Sequence, residues 1–456
     1  MPLTVSEHQN RVVTLSLFSR RTAGGKRPRV VVVGAGFGGL AAVQTLAGKA
    51  ADVAWIDRRN HHLFQPLLYQ VATAALSATD IAVPLRGLAR GYRNIDVLMD
   101  EVVDVDRQRQ EVVTRHRRVP FEVLLVATGA ETSYFGNEQW RDIAWGLKSL
   151  EEATALRTRI LGAFEEADRD EDEERKRRLM TFVPIGAGPT GVEMAGAIAE
   201  VTKGILKLDY KHVDPKQVSI ILLEALDQVL PGFPQDLARY AHKKLERMGV
   251  RVRVGTKVEE ITAECCIAGG ERFVAGNVIW TAGVKATPAA QWLKAEADKK
   301  GRVQVGKDLL VPGTNNIYVI GDAAVALGPN GQPFPGLAAV AKQQGAYVAR
   351  RILDETAGKA PSPEFRYVDW GTMATLGYTS AVADLHRVHL KGRLGWLVWA
   401  IVHVWYLIGF RNRLRVLLNW FWAYVTYRPG ARLITTGAEP PPRAEEALER
   451  TRASAP

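Results

Sequence analysis

The sequence predicts an α/β protein that consists of two Rossmann-like domains and a C-terminal amphipathic helical region. Three observations support this fold class. An apolar strand runs into a glycine-rich turn at residues 29–39, the same pattern recurs at residues 181–191, and a tryptophan- and arginine-rich apolar stretch occupies residues 394–425. The chain has 456 residues, 47% hydrophobic and 24% charged, which is enough for two or three folded domains.

The first glycine motif follows Arg29 and four valines, and reads Gly34-x-Gly36-x-x-Gly39. The glycines let the backbone turn tightly and approach a pyrophosphate, which the N-terminus of the next helix can bind. A second strand then ends at Asp57, whose carboxylate is placed to accept hydrogen bonds from a ribose. This order of strand, turn, helix, strand and acid predicts a dinucleotide site.

The second glycine motif follows an apolar strand and reads Gly186-x-Gly188-x-x-Gly191, and the next strand ends at Glu224. Glu224 would bind the ribose 2′-hydroxyl of NADH and repel the 2′-phosphate of NADPH, so we expect NADH here. Two dinucleotide sites in one chain suit hydride transfer from a nicotinamide to a flavin. The charge-dense segment 165–178 before this motif is expected to form a solvated helix.

Two more apolar strands end in small and polar residues, at Thr128-Gly129 and at Gly321-Asp322. These ends resemble the "ATG" and "GD" signatures of flavoprotein reductases with two dinucleotide sites. The resemblance implies non-covalently bound FAD at the first glycine motif and NAD(H) at the second. It also implies that Asp322 hydrogen-bonds the ribityl or pyrophosphate portion of the flavin.

The two cysteines, Cys265 and Cys266, are adjacent in sequence. This pair cannot build a disulfide framework or a metal site, so we predict no metal and a reducing compartment. No cysteine precedes them, which excludes the thiol relay of disulfide reductases, because that relay needs two separated cysteines beside the flavin. Both are expected to be small residues in or near a strand.

Five further blocks of sequence carry a more specific pattern. They are NHHLFQPLLYQVAT (60–73), IWTAGV (279–284), AAVAKQQG (338–345), GTMATLG (371–377) and GFRNR…LLNWFWAYVTYRPGARLI (409–434). Together they resemble type II NADH dehydrogenase, the single-subunit, non-proton-pumping NADH:quinone oxidoreductase. The resemblance implies that a hydride passes from C4 of NADH to N5 of FAD, and that two electrons then reduce a membrane quinone, either ubiquinone or menaquinone.

The resemblance also implies roles for individual residues. Gln343 and Gln344 would lie near the isoalloxazine and the quinone headgroup, while Ala339 stands where the family block carries another glutamine. Glu193 would lie beside the nicotinamide and handle charge or protons. Gly283 would belong to the loop that lets the nicotinamide approach the flavin.

The apolar stretch from Leu394 to Phe410 contains one ionisable side chain, His403. As a helix its 17 residues would span roughly 25 Å, the lower limit for crossing a hydrocarbon core of ~30 Å. In-plane docking explains better how a flavin reaches a quinone. We therefore predict a monotopic anchor and a structural role for His403.

The following segment is amphipathic, because one set of apolar residues recurs at helical spacing. That set is Leu414, Leu417, Leu418, Phe421, Trp422 and Val425. Arg411, Arg415 and Asn419 fall together on another face. Tryptophan and arginine at this density suit the lipid headgroup layer. The net charge of +11, placed partly beside these apolar residues, predicts that 394–432 meets anionic lipid and that no nucleic acid is bound.

These features divide the chain into six predicted regions. They are a flexible N-terminal extension (1–28), the first part of an FAD-binding domain (29–150), an NAD(H)-binding domain (151–295), the second part of the FAD-binding domain (296–365), a membrane-anchoring region (366–435) and a disordered tail (436–456). We expect a homodimer on the cytoplasmic face of a bacterial inner membrane rather than on an organellar membrane.

Two other functions fit parts of the sequence. One is a soluble NADH-dependent flavoprotein reductase that passes electrons to a ferredoxin or rubredoxin, with 394–425 buried. The other is a membrane-docked protein that binds NADH without turnover. The tryptophan-rich amphipathic segment argues against the first, and the two intact glycine motifs with the paired glutamines argue against the second.

Overall fold

A computed structural model describes residues 27–202, 209–426 and 431–434 of the chain. The predicted N-terminal extension, apart from residues 27 and 28, and the predicted tail 436–456 lie outside these ranges.

The strands are β1 (Arg29–Val33), β2 (Asp52–Asp57), β3 (His61–Leu63), β4 (Ala82–Pro84), β5 (Ile95–Met99), β6 (Val102–Asp106), β7 (Glu111–Thr114), β8 (Arg118–Pro120), β9 (Val123–Val126), β10 (Ala130–Thr132), β11 (Ala144–Gly146), β12 (Thr181–Ile185), β13 (Ser219–Leu223), β14 (Val250–Arg253), β15 (Val258–Ile261), β16 (Cys265–Ala268), β17 (Glu271–Val274), β18 (Asn277–Trp280), β19 (Val284–Ala286), β20 (Val303–Gln304), β21 (Ile317–Val319), β22 (Ala324–Val325), β23 (Thr372–Thr375), β24 (Ala381–Asp384) and β25 (His389–Lys391). The α-helices are α1 (Phe37–Leu46), α2 (Leu68–Ala72), α3 (Ala78–Ile81), α4 (Leu85–Leu88), α5 (Leu150–Arg169), α6 (Glu173–Leu179), α7 (Pro189–Val201), α8 (Gln235–Arg247), α9 (Ala289–Leu293), α10 (Ala338–Thr356), α11 (Gly392–Tyr406) and α12 (Phe410–Thr426).

The chain forms two compact units, each assembled from three separate segments. Unit 1 comprises Met1–His62, Val83–Glu131 and Lys285–Asp369. Unit 2 comprises Leu63–Ala82, Thr132–Val284 and Trp370–Pro456.

Unit 1 is built on a five-stranded parallel sheet in the order β21-β9-β1-β2-β5. The four valines of β1 are buried, as expected for the middle strand of a parallel sheet. Helix α1 follows β1 through the first glycine turn and packs against α10. The two helices approach so closely at Gly345 that a Cβ there would collide with the Gly38 carbonyl oxygen. The predicted Rossmann-like order of strand, turn, helix and strand is confirmed.

Unit 2 repeats this plan with a five-stranded parallel sheet in the order β11-β18-β12-β13-β14. All five residues of β12 are buried, and α7 follows through the second glycine turn. An antiparallel sheet, β15-β16-β17, carries Cys265 and Cys266, which are both buried and unbridged, as expected for small strand residues. Among the described residues, no group of His, Cys, Asp or Glu side chains is placed to hold a metal ion.

The charge-dense segment 165–178 forms parts of two helices rather than one. Helix α5 ends at Arg169, and α6 begins after Asp172. The Asp172 carboxylate accepts hydrogen bonds from the backbone N–H groups of Glu174 and Arg175, which caps a new helix and so interrupts the predicted one.

The C-terminal part of unit 2 contains an antiparallel sheet, β23-β24-β25, on which α11 packs. The apolar stretch 394–410 is not one continuous helix, because α11 ends at Tyr406 and α12 begins at Phe410. Gly409 adopts a φ of +83°, which favours glycine and turns the chain between the two helices. Arg413 holds this corner by donating to the carbonyl oxygens of Trp405 and Leu407, both at 2.8 Å.

Candidate active site

The first glycine turn is held by the acid at the end of β2. Gly34 has a φ of +104°, and a Cβ at Gly39 would collide with the Gly34 carbonyl oxygen. The Asp57 carboxylate accepts the N–H of Ala35 at 2.6 Å and the N–H of Arg59 at 2.7 Å. Burial raises the pKa of Asp57 above its ordinary value, although these backbone N–H groups oppose the shift.

The second glycine turn has the same construction. Gly186 has a φ of +95°, and a Cβ at Gly191 would collide with the Gly186 carbonyl oxygen. The buried Glu224 carboxylate accepts the N–H of Ala187 at 2.6 Å and the N–H of Leu226 at 2.9 Å. Since a carboxylate has about four acceptor positions, Glu224 retains capacity for a ribose hydroxyl.

The middle glycine of each motif leaves room for a ligand. Gly36 and Gly188 are the N-caps of α1 and α7, and neither receives a side-chain cap. A Cβ at either position would have no protein atom within 4 Å. The requirement for glycine here is therefore not explained by the fold, and it fits close approach of a pyrophosphate to a helix N-terminus.

The "ATG" and "GD" turns both belong to unit 1. The Thr128 hydroxyl lies 2.6 Å from that of Thr287. Gly129 and Gly321 have φ values of +71° and +67°. Asp322 is half-buried directly after Gly321, beyond the carboxyl end of β21. These turns occupy the edge of the sheet where open α/β folds bind ligands.

The two predicted glutamines make different contacts in unit 1. Gln344 is buried, with 2% of its surface exposed, and its side-chain carbonyl accepts the N–H of Gly321 at 2.7 Å. Gln343 pairs its side-chain amide with the backbone of Val368, donating to the carbonyl oxygen and accepting the N–H, both at 2.9 Å. Gln344 thus supports the predicted flavin turn, and Gln343 fastens the segment after α10.

Glu193 lies in unit 2, in the first half of α7, with 9% of its surface exposed. Its Oε1 accepts the N–H of Thr375 at 3.2 Å. Burial raises the pKa of Glu193 to about 8, even though the Thr375 N–H opposes the shift. The buried Tyr69 also has a raised pKa, first because of burial and then because of the nearby Glu193. At neutral pH the Glu193 carboxyl is mostly protonated.

Gly283 faces an aromatic side chain that the sequence did not single out. A Cβ at Gly283 would collide with the ring of Phe135, which is 64% exposed and has a φ of +54°. Left-handed backbone at a bulky residue is uncommon and concentrates at functional sites. The predicted nicotinamide loop in unit 2 therefore carries an exposed ring beside its glycine.

Two histidines, His62 and His403, contact backbone carbonyl oxygens. His62 lies buried in unit 1, 2.7 Å from the Ala35 carbonyl oxygen, and burial lowers its pKa to about 4. His403 in unit 2 lies 2.8 Å from the Trp399 carbonyl oxygen and stacks on that ring, and burial lowers its pKa to about 4 as well. Both rings are therefore neutral near pH 7 and act as hydrogen-bond donors to the backbone.

An exposed apolar face runs along the two C-terminal helices of unit 2. Its members on α11 and α12 are between 46% and 80% exposed, and they are Leu394, Leu397, Ile401, Trp405, Phe410, Leu414, Leu417, Leu418, Phe421 and Trp422. The opposite side of α12 is buried at Val416 and Ala423. Apolar surface on this scale marks an interaction site. Within the described ranges, no helix combines the length and apolarity needed to cross a membrane.

Each unit therefore gathers its own set of predicted residues. Unit 1 holds the first glycine turn, Asp57, both small-residue turns and the glutamines, whereas unit 2 holds the second glycine turn, Glu224, Glu193 and Gly283. Tyr69, Thr375 and Phe135 were not predicted as site residues. Tyr69 and Thr375 belong to blocks that carried the family resemblance, which was the available signal.

Comparison with known proteins extends this description. Residues 28–345 match the model of the pyridine nucleotide-disulphide oxidoreductase family. The chain is 41% identical over 425 residues to the type II NADH:quinone oxidoreductase Ndh of Mycobacterium tuberculosis, covering 90% of this chain and 91% of that protein. It is 37% identical over 444 residues to NdhA of the same organism, covering 93% of each.

Solved structures share the fold. The NDH2 structure from Plasmodium falciparum in complex with NADH superimposes with a TM-score of 0.82 at 20% identity, covering 90% of this chain and all of that one. The sulfide:quinone oxidoreductase of Aquifex aeolicus gives a TM-score of 0.68 at 16% identity, covering 85% and 92%. Given the paired glycine turns and the identity to curated relatives over nine-tenths of its length, the chain belongs to the type II NADH:quinone oxidoreductase family.

Proposed function

We propose that this protein oxidises NADH and reduces a membrane quinone to quinol, with FAD bound non-covalently and without pumping protons. The observation that carries the quinone assignment is the exposed apolar face of α11 and α12, which belongs to the same unit as the predicted NADH site. A long-tailed quinone resides in lipid, so an enzyme that reduces it has to present such a surface to the bilayer. Bound FAD supplies the two-electron chemistry between the two substrates.

Unit 1 would hold the flavin through its first glycine turn, Asp57 and Asp322. The open space beside Gly36 admits the pyrophosphate, and Asp57 fixes the turn while keeping acceptor capacity for the ribose. Gln344 orients the Gly321-Asp322 turn through its hydrogen bond to Gly321. Within the described residues its amide nitrogen has no protein acceptor, which leaves it able to donate to a ligand.

Unit 2 would hold NADH through the second glycine turn and Glu224. The carboxylate fixes Ala187 in the turn and can accept the ribose 2′-hydroxyl, while its charge disfavours a 2′-phosphate. Gly283 has no side chain, which allows the ring of Phe135 to pack directly against the nicotinamide loop. These contacts position the substrate for transfer and require no protein nucleophile.

Glu193 would store one of the two protons that quinol formation consumes. Oε1 accepts the Thr375 N–H, so the proton is carried by Oε2. A pKa of about 8 makes this carboxyl a donor at neutral pH, a role that the amide groups of Gln343 and Gln344 cannot perform.

The exposed apolar face would lie in the headgroup layer, with Lys391, Arg393 and Arg411 exposed beside it to meet anionic lipid. We place the protein as a monotopic enzyme on the cytoplasmic face of a bacterial inner membrane. The family resemblance also favours a homodimer, which sedimentation in mild detergent would test.

The decisive experiment follows the flavin spectrum of the purified full-length protein under anaerobic conditions. NADH should bleach the flavin, and a short-chain quinone should then restore the oxidised spectrum. A parallel sample receives oxidised ferredoxin instead of quinone. If ferredoxin restores the spectrum and quinone does not, the protein is a soluble-type reductase and our proposal is wrong.

A further inference from the structure

A chain of four hydrogen bonds in unit 2 connects the second C-terminal helix with Glu193. Trp420 Nε1 donates to Gln70 Oε1 at 2.7 Å, and Gln70 Nε2 donates to the Tyr69 hydroxyl at 2.9 Å. The Tyr69 hydroxyl lies 2.9 Å from Thr375 Oγ1, and the Thr375 N–H donates to Glu193 Oε1 at 3.2 Å. These residues come from α12, α2, β23 and α7.

The chemistry of the indole fixes the direction of the first two bonds of this chain. An indole nitrogen only donates, so the Gln70 carbonyl must face Trp420 and its amino group must face Tyr69. The Tyr69 oxygen then accepts from Gln70, and either hydroxyl can donate in the bond between Tyr69 and Thr375. Consecutive bonds of this kind polarise one another.

The chain is buried along most of its length. Tyr69, Gln70 and Thr375 are each less than a tenth exposed. A buried polar group left without its partner costs roughly 1–3 kcal/mol, so loss of one bond disturbs the next. Trp420 and Gln70 also line a small pocket together with Trp396 and Trp399.

Two more contacts, one from α12 and one from the segment 431–434, tie this part of the chain to residues 63–82. Asn419 donates to the Asp80 carboxylate at 3.1 Å, and the N–H of Ala431 donates to the Ala74 carbonyl oxygen at 3.1 Å. The position of Trp420 opposite Gln70 is therefore fixed by contacts on either side of it.

We propose that Trp420, Gln70 and Tyr69 are positioning residues for quinone reduction. They hold Thr375 in place and, through it, the Glu193 carboxyl, so that the position of α12 influences how Glu193 retains its proton. This inference rests on the proposed function, because it assigns Glu193 a proton that the quinone consumes. None of the three need touch a substrate.

Few titratable groups face Glu193 from the elements around α7. Tyr69 on α2 interacts with it electrostatically. The strands β12 and β13 present no charged residue, and Arg251 and Arg253 of β14 are exposed. The buried side chains of α8 are Leu237, Ala238, Ala241 and Leu245. Glu200, further along α7, accepts the N–H of Tyr378. The pH dependence of Glu193 is therefore governed mainly by burial and by the Thr375 amide.

The test uses full-length, flavin-loaded protein and a water-soluble short-chain quinone. Trp420→Phe and Tyr69→Phe each keep a ring, and they remove one and two hydrogen bonds of the chain, respectively. Trp396→Phe is the matched control, since it removes an indole from the same pocket and Trp396 has no hydrogen bond to the chain within the described residues. Stopped-flow absorbance measures NADH-driven bleaching and quinone-driven reoxidation separately between pH 5.5 and 9.

We expect Trp420→Phe and Tyr69→Phe to slow reoxidation three- to tenfold and to leave bleaching unchanged. The pH midpoint of reoxidation should move upward by about half a unit or more, because a loosened Thr375 amide no longer lowers the pKa of Glu193 as far. The double variant should resemble either single variant, since both interrupt one chain. Trp396→Phe should behave as wild type.

The inference is wrong if the midpoint stays at its wild-type value, if Trp396→Phe moves it equally, or if the two effects multiply in the double variant. Should Tyr69→Phe fail to retain flavin, Trp420→Phe alone carries the comparison, because its ring is only partly buried. Failure of wild-type reoxidation by quinone would instead contradict the proposed function.

Discussion

Asp57 and Glu224 occupy equivalent positions in the two units and make equivalent pairs of contacts. Asp57 is the last residue of β2, and Glu224 directly follows β13. Each accepts the N–H of the residue between the first two glycines of its motif, at 2.6 Å in both cases. An acid predicted to bind a ribose thus also fixes the turn that would bind the pyrophosphate. An alanine substitution would remove both the ribose contact and the contact that fixes the turn. An isosteric amide removes the negative charge and keeps the shape of the side chain.

Glu224→Gln is expected to lower the preference for NADH over NADPH by at least tenfold, because it removes the charge that repels a 2′-phosphate and keeps the side-chain carbonyl. Steady-state kcat/KM for both nucleotides measures the ratio. Asp227→Asn is the control, since Asp227 is exposed three residues further along and should leave the ratio unchanged. An unaltered ratio in Glu224→Gln would contradict the ribose assignment.

A second prediction at the residue scale concerns Glu193 and the pH dependence of the free energy of unfolding. Its pKa rises from 4.5 to about 8 on folding, so the folded state keeps a proton that the unfolded state releases. The stabilisation is complete below the unfolded pKa and is lost as pH rises to about 8, at up to ~1.4 kcal/mol per pH unit.

Urea unfolding at pH 5, 6.5 and 8 should therefore show a flatter pH dependence for Glu193→Gln than for wild type. Glu296→Gln, at an exposed position, should keep the wild-type slope. Parallel slopes for wild type and Glu193→Gln would mean that the carboxyl is ionised in the folded protein.

At the scale of elements, α11 and α12 show that apolar residues can cover both sides of a helix pair. One side packs on the protein through residues such as Trp399 and Val416, while the exposed apolar face points outward. A helix that is apolar on the side away from its own core needs a non-aqueous partner. Lipid is the partner that we propose.

Leu417→Glu combined with Phe421→Glu should weaken binding to anionic vesicles at least tenfold, since burial of each apolar side chain contributes roughly 1.5–3 kcal/mol. Both side chains are at least 48% exposed, so the melting temperature should be unaffected. Co-sedimentation with liposomes measures the binding. Val103→Glu with Val274→Glu, at similarly exposed strand positions, adds the same charge elsewhere and should bind as wild type.

The elements next to the glycine motifs could be predicted closely from sequence, whereas others could not. Strands β1 and β12 are continuous apolar runs with a glycine turn after them, so pattern and turn chemistry agree. The end of α11 at Tyr406 had no such signal, because Leu407 and Ile408 continue the apolar run and only Gly409 departs from it. The hydrogen-bond chain through Gln70 depends on tertiary packing between residues 350 apart, which no local pattern encodes.

At the scale of the whole molecule, two units of the same design carry the two dinucleotide motifs. In both central sheets the strand before the glycine turn, β1 or β12, lies in the middle. The strand that leads to the acid, β2 or β13, lies beside it. Because Gly36 and Gly188 have open space and unstrained φ values of −69° and −66°, a side chain at either should obstruct a ligand without disturbing the fold.

Gly36→Val should therefore be purified with at least tenfold less flavin per chain, and Gly188→Val with its normal flavin. The second variant should no longer be bleached by NADH but should still be bleached by dithionite. Absorbance spectra measure both, and circular dichroism checks the fold. Loss of flavin in Gly188→Val would show that the two motifs do not serve separate ligands.

The contacts between α12 and residues 63–82 also have a consequence for protein synthesis. A ribosome adds roughly 5–20 residues per second, so about 20–70 s pass between the synthesis of Gln70 and that of its partner Trp420, 350 residues later. Unit 2 cannot be completed during this interval. The apolar surface that we assign to the bilayer is synthesised after both glycine motifs and after every strand of the two central sheets, which delays its exposure until those sheets are able to fold.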